Sequence, residues 1–454
     1  MKKNLSIYFV LLFSVLSLLS CGSSDQEEVV LSPYALVKSF RIGNIRSGYP
    51  GFTADGRDTI TYRTVSFENV AFTIDQLAGE IYNNDSLPYA TNVSKVLVTM
   101  GVKGVASIYV DSTGTYEHVT STDSVDFTTP RKIRVYSADA SFYKDYTASV
   151  NVHQVDPDMM VWHKYPAVAG VVPVKALEHD GGMFLFGKNE GGAAVVAVTA
   201  LDDAEAWACT DVVGLPADAL ETIALFGGKF YAVYAGDVYA SADGAVWNSV
   251  AAGTGAVAIV GVSEAESKLW IAGNSGVLCS TDGISFEVEE DLPADFPLYG
   301  VSLASYPLAH NSKIIRYMLV GYATPAMDGD AAVWSRLSTE SKWTRYNNEG
   351  NNYPCPSLKG LSVLRYDGFL YALGGAGKVN GADTDAFSMF YVSRDNGIAW
   401  RPQESYYQRL PEELGGDNSQ FAATVDSSNY IWIINSGDNG GVWKGILNRL
   451  GFKK

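Results

Sequence analysis

Toward its C-terminal end the chain reads Ser393-Arg394-Asp395-Asn396-Gly397-Ile398-Ala399-Trp400, and this stretch decides the fold. Two relatives stand upstream, Ser241-Ala242-Asp243-Gly244-Ala245-Val246-Trp247 and Ser280-Thr281-Asp282-Gly283-Ile284-Ser285-Phe286, each one residue shorter between Asp and Gly. The chemistry is that of a tight turn. A short carboxylate accepts backbone N–H groups, glycine supplies a positive φ, and the closing aromatic fills an apolar gap.

Three apolar strands precede each such turn, and the arrangement recurs six times from about residue 158 onward. The first strands fall at 174–177, 223–226, 258–262, 301–304, 361–364 and 422–425. The second fall at 183–186, 230–233, 269–272, 317–320, 370–373 and 431–434, and the third at 195–198, 238–241, 277–280, 333–335, 390–393 and 442–444. An aromatic follows the third strand in five copies (Trp207, Trp247, Phe286, Trp343, Trp400), whereas the first, fourth and sixth copies depart from the Ser-x-Asp pattern. The sixth copy has no such aromatic, but an orphan strand around Trp162 stands before the first copy. Repeats of about 50 residues, three strands each plus one orphan, predict a six-bladed β-propeller over 157–454. The N-terminal strand completes the last blade, which removes the unpaired edges of an open ring.

The Ser393–Trp400 turn resembles the Asp-box of sialidase-like propellers, with Ser241, Asp243, Trp247, Ser280, Asp282, Phe286, Ser393, Asp395, Gly397 and Trp400 as its structural residues. In that family the turns lie on the face opposite the active site, so the resemblance speaks to fold. Sialidases also carry an arginine triad and a Phe/Tyr-Arg-Ile-Pro motif. The nearest match here, Phe40-Arg41-Ile42-Gly43, has Gly for Pro and lies far upstream of the repeats, so no catalytic residue is carried over.

Residues 34–156 read as a second all-β unit. Dense β-formers occupy 36–45, 59–65, 67–74, 94–100, 104–110, 131–137 and 146–153, separated by turn residues such as Asp55-Gly56 and Ser112-Thr113-Gly114. Seven short strands predict an Ig-like β-sandwich. The strand–turn–strand from Pro130 to His153 resembles the last hairpin of Ig-like domains in Bacteroidetes surface lipoproteins.

The N-terminus carries the address. Lys2 and Lys3 precede a nearly continuous apolar run over 5–20, then Cys21-Gly22-Ser23-Ser24. The run is short for a spanning helix and suits a signal-peptide core. Leu18-Leu19-Ser20-Cys21 resembles the lipobox of bacterial lipoproteins, which implies cleavage after residue 20 and lipidation of Cys21. Acidic Asp25, Glu27 and Glu28 in the 21–33 tether resemble the export signal that sends such lipoproteins to the exterior of the outer membrane.

Composition narrows the functions. A net charge of −17 without a basic block makes the chain a poor partner for phosphate backbones, which argues against nucleic acid. Cys209, Cys279 and Cys355 are widely spaced and the five histidines are scattered, so neither a disulfide framework nor a metal site is expected. The cysteines are expected to be small buried residues. Asp328-Gly329-Asp330 and Asp383-Thr384-Asp385 read as solvated acidic loops rather than calcium sites. No cofactor and no catalytic constellation is legible.

Binding is expected instead on the face shared by the second-to-third and fourth-to-first connections. These are long in blades four and five, at 321–332, 344–357, 374–388 and 401–418. They carry Arg345, Tyr346, Asn351, Asn352, Tyr353, Tyr406, Tyr407 and Arg409, aromatic platforms beside amide and guanidinium donors. The expected function is a surface lipoprotein, held to the membrane by its lipid anchor only, that binds an extracellular glycan or protein through this face. The alternatives are a glycan-degrading hydrolase or lyase of the sialidase-like propeller type and a purely structural role. The anchor is directly testable: Cys21→Ser should abolish lipid attachment and move the protein out of the membrane fraction, and retention there would mean an uncleaved helix.

Overall fold

The apolar rows of the sequence become the strands of a chain that is almost entirely β; helix is confined, among the described residues, to one four-residue α-turn at Asn448–Gly451 and two short 3-10 segments. The computed structural model describes residues 34–454 except 54–57, 111–113, 119, 121, 328, 405, 415–419, 438 and 453–454, and excludes the side chains of residues 52, 58, 110 and 406. The leader, Cys21 and the tether therefore lie outside the described residues. The chain divides into two compact units between Gln154 and Val155.

In the second unit, Val172–His179, Gly182–Lys188, Ala194–Ala200 and Ala208–Asp211 form an antiparallel sheet in chain order. Tyr299–Leu308, Asn311–Tyr322, Ala332–Leu337 and Thr344–Arg345 repeat the pattern, as do Ser362–Tyr366, Phe369–Leu373, Tyr391–Ser393 and Arg401–Pro402. Between the first two sheets named lies a seven-stranded one, from Ala224–Phe226 to Glu287–Glu290. Its central strand, Asn248–Ser263, is 16 residues long. Its first part pairs with Gly236–Ser241 and its second with Lys268–Gly273. The outermost strand of one repeat thus runs on as the innermost strand of the next.

The last sheet contains Phe421–Val425, Ile431–Asn435 and Gly441–Leu447, with Met160–Tyr165 on its outer edge. That strand is antiparallel to Gly441–Leu447, from Met160 opposite Leu447 to Tyr165 opposite Val442. Each sheet shares an apolar core with the next. Phe186 and Val196 meet Phe230 and Trp247, Val260 and Trp270 meet Leu319 and Trp334, and Met318 and Val333 meet Leu370 and Trp400. The last sheet in turn shares a core with the first, where Trp432 and Val442 pack on Leu185 and Val195. Polar bolts cross this final seam: the Lys444 ammonium donates to the Leu201 carbonyl at 2.5 Å, and the Glu178 carboxylate accepts from the Ser427 amide and hydroxyl at 2.5 and 2.7 Å.

The quoted turns are built as their chemistry demands. Asp282 Oδ1 accepts the amides of Ile284 and Ser285 at 2.8 and 2.7 Å, while Ser280 Oγ donates to the same carboxylate and accepts the Gly283 amide. Asp243 with Ser241, and Asp395 with Ser393, repeat the arrangement. Gly283 stands at φ 73°, and a side chain there would run into the Tyr231 hydroxyl. The indoles of Trp247 and Trp400 are 3% and 0% exposed, and each returns its N–H to the turn, to the carbonyls of Gly244 and Gly397. Phe286, with no N–H, packs partly buried in the equivalent place. The first sheet keeps the same device, which the Ser-x-Asp pattern conceals. Asp203 accepts the Glu205 and Ala206 amides, and the Trp207 indole donates to the Ala204 carbonyl.

In the first unit one core draws on both main sheets, from Val37, Phe40, Ile42 and Val98 on one side to Ile81, Ile108, Ile133, Val135 and Tyr146 on the other. Arg131–Tyr136 and Tyr143–Ser149 form the strand–turn–strand expected between Pro130 and His153, with Ala140 at φ 57° in the turn. The expected strand at 36–45 is in fact two, Leu36–Ile42 and Asn44–Phe52, which belong to different sheets. Short strands at Glu80–Asn83, Thr115–His118 and Ser124–Val125 escape a reading of the sequence because they are too short to show a period of two.

Two expected outcomes follow from the ring and its turns. Deletion of 158–165 leaves the Gly441–Leu447 edge unpaired and removes Trp162, so urea unfolding should shift to clearly lower concentration or the protein should aggregate; an unchanged midpoint would contradict closure. The backbone amides of Ser285 and Ile284 hold the Asp282 carboxyl well below its ordinary value. A depressed acid stabilises the fold fully above its unfolded pKa and loses that contribution as pH falls through the folded one. The stability gap between wild type and Asp282→Asn, read from urea midpoints, should therefore be constant near neutrality and close under strongly acid conditions.

Candidate functional site

The innermost strands surround an axial cavity of about 490 Å³. Its walls are backbone and small aliphatic side chains: Ile223 and Ala224, Ala256 and Ala258, Val301 and Leu303. Its mouth is formed by second-to-third and fourth-to-first connections, namely Ala235-Gly236, Asn274, the 3-10 segment with Asp218 and Glu221, and Leu298-Tyr299-Gly300. Two smaller spaces of about 250 and 230 Å³ continue from it along the inner strands, and Lys175 and Leu303 line all three.

Lys175 lines the cavity directly after an irregularity. The pairing of Val172–His179 with Gly182–Lys188 slips between Pro173 and Lys175, and such a bulge re-aims the residues that follow it. The side chain is only half-buried by area, yet the surface it shows faces the cavity. Desolvation pulls its ammonium below the usual lysine range, and the charge of Glu221 works in the opposite direction. Asp218 is occupied by Lys188 at 3.1 Å. Tyr234, 39% exposed, with half-buried Tyr299 and exposed Asn274, offers ring faces and an amide at the mouth. Apolar walls with a few converging polar groups are the general make-up of a small-ligand site.

The residues singled out from the sequence fall into two groups. Arg345 is exposed and pairs with Asp295 at 2.9 Å, while Tyr346 is half-buried and its hydroxyl accepts from Arg316 at 3.2 Å. Asn351 donates to the Ile398 carbonyl at 2.7 Å, and the Tyr353 carbonyl accepts the Trp400 amide at 2.9 Å. The 344–357 connection is thus tied to the Ser393–Trp400 turn. Asn352, exposed, accepts from Asn380 through its carbonyl, on a hairpin of Gly377–Val379 and Ala382–Thr384 that pairs with Ser357–Leu358. The Tyr353 ring is 37% exposed, with the Arg401 guanidinium 4.2 Å from its centre. The second group sits by the closing strand. Tyr406–Gln408 is a 3-10 turn, Tyr407 is half-buried, and Arg409 is exposed, pairs with Glu412 and accepts the Trp162 indole N–H on its carbonyl. The Tyr406 side chain lies outside the described residues.

The remaining candidates are dispersed. Cys355 is buried and Cys279 half-buried, its thiol pushed up to about 11 by burial. Cys209 departs from the expectation of burial because it lies on Ala208–Asp211, an outer strand exposed along its whole length. Arg41 is exposed on a strand of the first unit. Asp328 lies outside the described residues. Among the described residues no three His, Cys, Asp or Glu side chains gather as metal ligands, and no helix is long and apolar enough to cross a membrane.

The axial cavity itself is not legible in the sequence. Lys175 sits in an ordinary-looking strand, and only its polar character in a mostly apolar row marks it.

Sheets arranged round an axis, each sharing a core with the next and the last with the first, define a β-propeller. The chain belongs to the DUF6242 family: the family's beta propeller domain matches residues 156–454 and its N-terminal domain matches residues 47–150. No curated protein matches the chain. Among solved structures, an alpha-L-arabinanase of Penicillium chrysogenum complexed with arabinobiose is 12% identical with a TM-score of 0.37, the match covering 63% of this chain and 97% of the other. The beta-propeller domain of the trilobed protease from Pyrococcus furiosus is 10% identical with a TM-score of 0.31, over 60% and 93%. Aleuria aurantia lectin in complex with alpha-methyl-L-fucoside is 10% identical with a TM-score of 0.32, over 63% and 89%. Such distant likenesses say nothing of this chain's ligand.

Proposed function

We propose that the propeller is a glycan-binding module whose ligand enters the axial cavity. The observation that carries this is the cavity of about 490 Å³, open on the face of the second-to-third and fourth-to-first connections and edged by Tyr234, Tyr299 and Asn274. Its concavity suits a sugar or the end of a chain better than a flat protein surface. Tyrosine rings offer sugars an apolar platform, and the amide directs hydrogen bonds. The loops around Tyr353 and Tyr406 are a second surface of the same protein, suited to the remainder of a longer glycan.

Around this core we place the finer architecture. The propeller has six blades, the quoted turns are Asp-boxes, and residues 34–156 form an Ig-like sandwich. What supports the count is the sixfold recurrence of strands and the sharing of one long strand by two repeats. What supports the sandwich is the single core fed by two sheets. The leader and Lys2 to Cys21 support a lipoprotein of the outer membrane, facing outward and held by its lipid alone.

Glu221 and Asp218 at the cavity mouth favour one second reading, a glycan-degrading hydrolase or lyase, since glycosidases generally employ two carboxylates. A glycan array probed with the full-length protein, followed by assay of each bound glycan for new reducing ends, separates the two. Binding without turnover is expected. Tyr234→Ala combined with Asn274→Ala should weaken the strongest glycan about tenfold or more, while Tyr353→Ala changes it less. The opposite ranking would move the site to the loops, and product formation abolished by Glu221→Gln would make the protein an enzyme.

A further inference from the structure

Among the described residues, the Lys175 ammonium donates no hydrogen bond and closes no ion pair, although it stands where three axial spaces meet. Lys188, a short distance along the chain, shows the contrast: it is paired with Asp218 at 3.1 Å. A cation enclosed in a cavity with no hydrogen bond and only the charge of Glu221 to offset its desolvation is unfavourable, and packing alone would be better served there by an aliphatic residue. Lys175 follows directly on the bulge after Pro173 and lines all three spaces. The arrangement is that of a recognition site whose counter-charge arrives with the ligand.

The surroundings restrict what that counter-charge can be. Glu221 and Asp218 line the same cavity, so a second negative charge on the ligand, with no further cation there to receive it, would meet only repulsion. Tyr234, Tyr299 and Asn274 provide ring faces and an amide for the uncharged remainder. We infer that the axial cavity takes a sugar carrying a single carboxylate, a uronate, and that its acid group is received by Lys175. A carboxylate on an ammonium in such an enclosed place forms a charge-assisted hydrogen bond, stronger than one between neutral groups. The pull of desolvation on the lysine, noted above, is relieved when the carboxylate arrives. This inference rests on the cavity being the glycan site.

Calorimetric titration of the full-length protein with sodium glucuronate, glucose and the methyl ester of glucuronate tests it. Glucuronate should bind about tenfold or more tightly than glucose, and the ester no better than glucose. In Lys175→Met the preference for glucuronate over glucose should vanish, and Lys175→Arg should keep part of it. Should K175M fold poorly, the ester comparison on the wild-type protein decides the same question. Equal binding of glucuronate and its ester, or a preference that survives K175M, overturns the role of Lys175 and leaves the cavity a sugar site. If neither sugar binds while the glycan array returns neutral glycans, the uronate inference alone falls. If the array is blank as well, the cavity reading falls with it.

Discussion

A ring of sheets holds only if its first strand meets its last, and the pairing of Met160–Tyr165 with Gly441–Leu447 is where that condition is satisfied. Elsewhere in the propeller each sheet is assembled from strands that lie near one another along the chain. This one ladder joins segments separated by almost the entire domain, so its ordering entropy is the largest of any. The side chains around it reinforce the join. Trp162 lies over Phe390 and binds the Arg409 carbonyl, Arg449 ties Asp158 to Asp367, and Lys444 spans to the first sheet. The apolar seam between the last sheet and the first is the one that this join brings together.

Closure also makes the axial site. Inner strands drawn round an axis leave a space too narrow for large side chains, and alanine, glycine and valine line much of it. In that setting a single lysine that closes no ion pair among the described residues is conspicuous. The residues that give the cavity its chemistry come from separate repeats: Lys175 from an inner strand, Glu221 from the connection that enters the next repeat, Asn274 and Tyr299 from later turns. The scaffold positions them, and no local motif does.

This division explains what could be read from the sequence. The turns around Asp243, Asp282 and Asp395 were legible because their hydrogen bonds run over a few adjacent residues, and Trp162 was legible because a repeat one strand short must be completed somewhere. The turn at Asp203 was hidden because Thr199 stands four positions before the aspartate, outside the Ser-x-Asp spacing, while the backbone bonds are the same. Lys175 was illegible because its direction depends on a bulge, and a bulge is a property of two paired strands. The loops at Tyr353 and Tyr407 were recognised as long, but their length did not reveal that one is fastened to a neighbouring turn and the other leads to the closing strand.

The strand Asn248–Ser263 imposes a different limit. Everywhere else the passage from an outer strand to the next inner one is a connection that can gain residues without disturbing a ladder. Here Ala256 is paired with Gly236 on one side and Gly273 on the other, so the two repeats share a single uninterrupted backbone. The junction is already irregular: a step of five residues from Ala251 to Ala256 stands against a step of two from Val238 to Gly236, and Gly253 and Gly255 at positive φ let the surplus bulge out of the ladder. On either side of that bulge the ladder must keep its register, because each half carries the core face of its own repeat. An insertion at this junction therefore acts on two repeats at once, whereas one in a connection between separate sheets acts on a single loop.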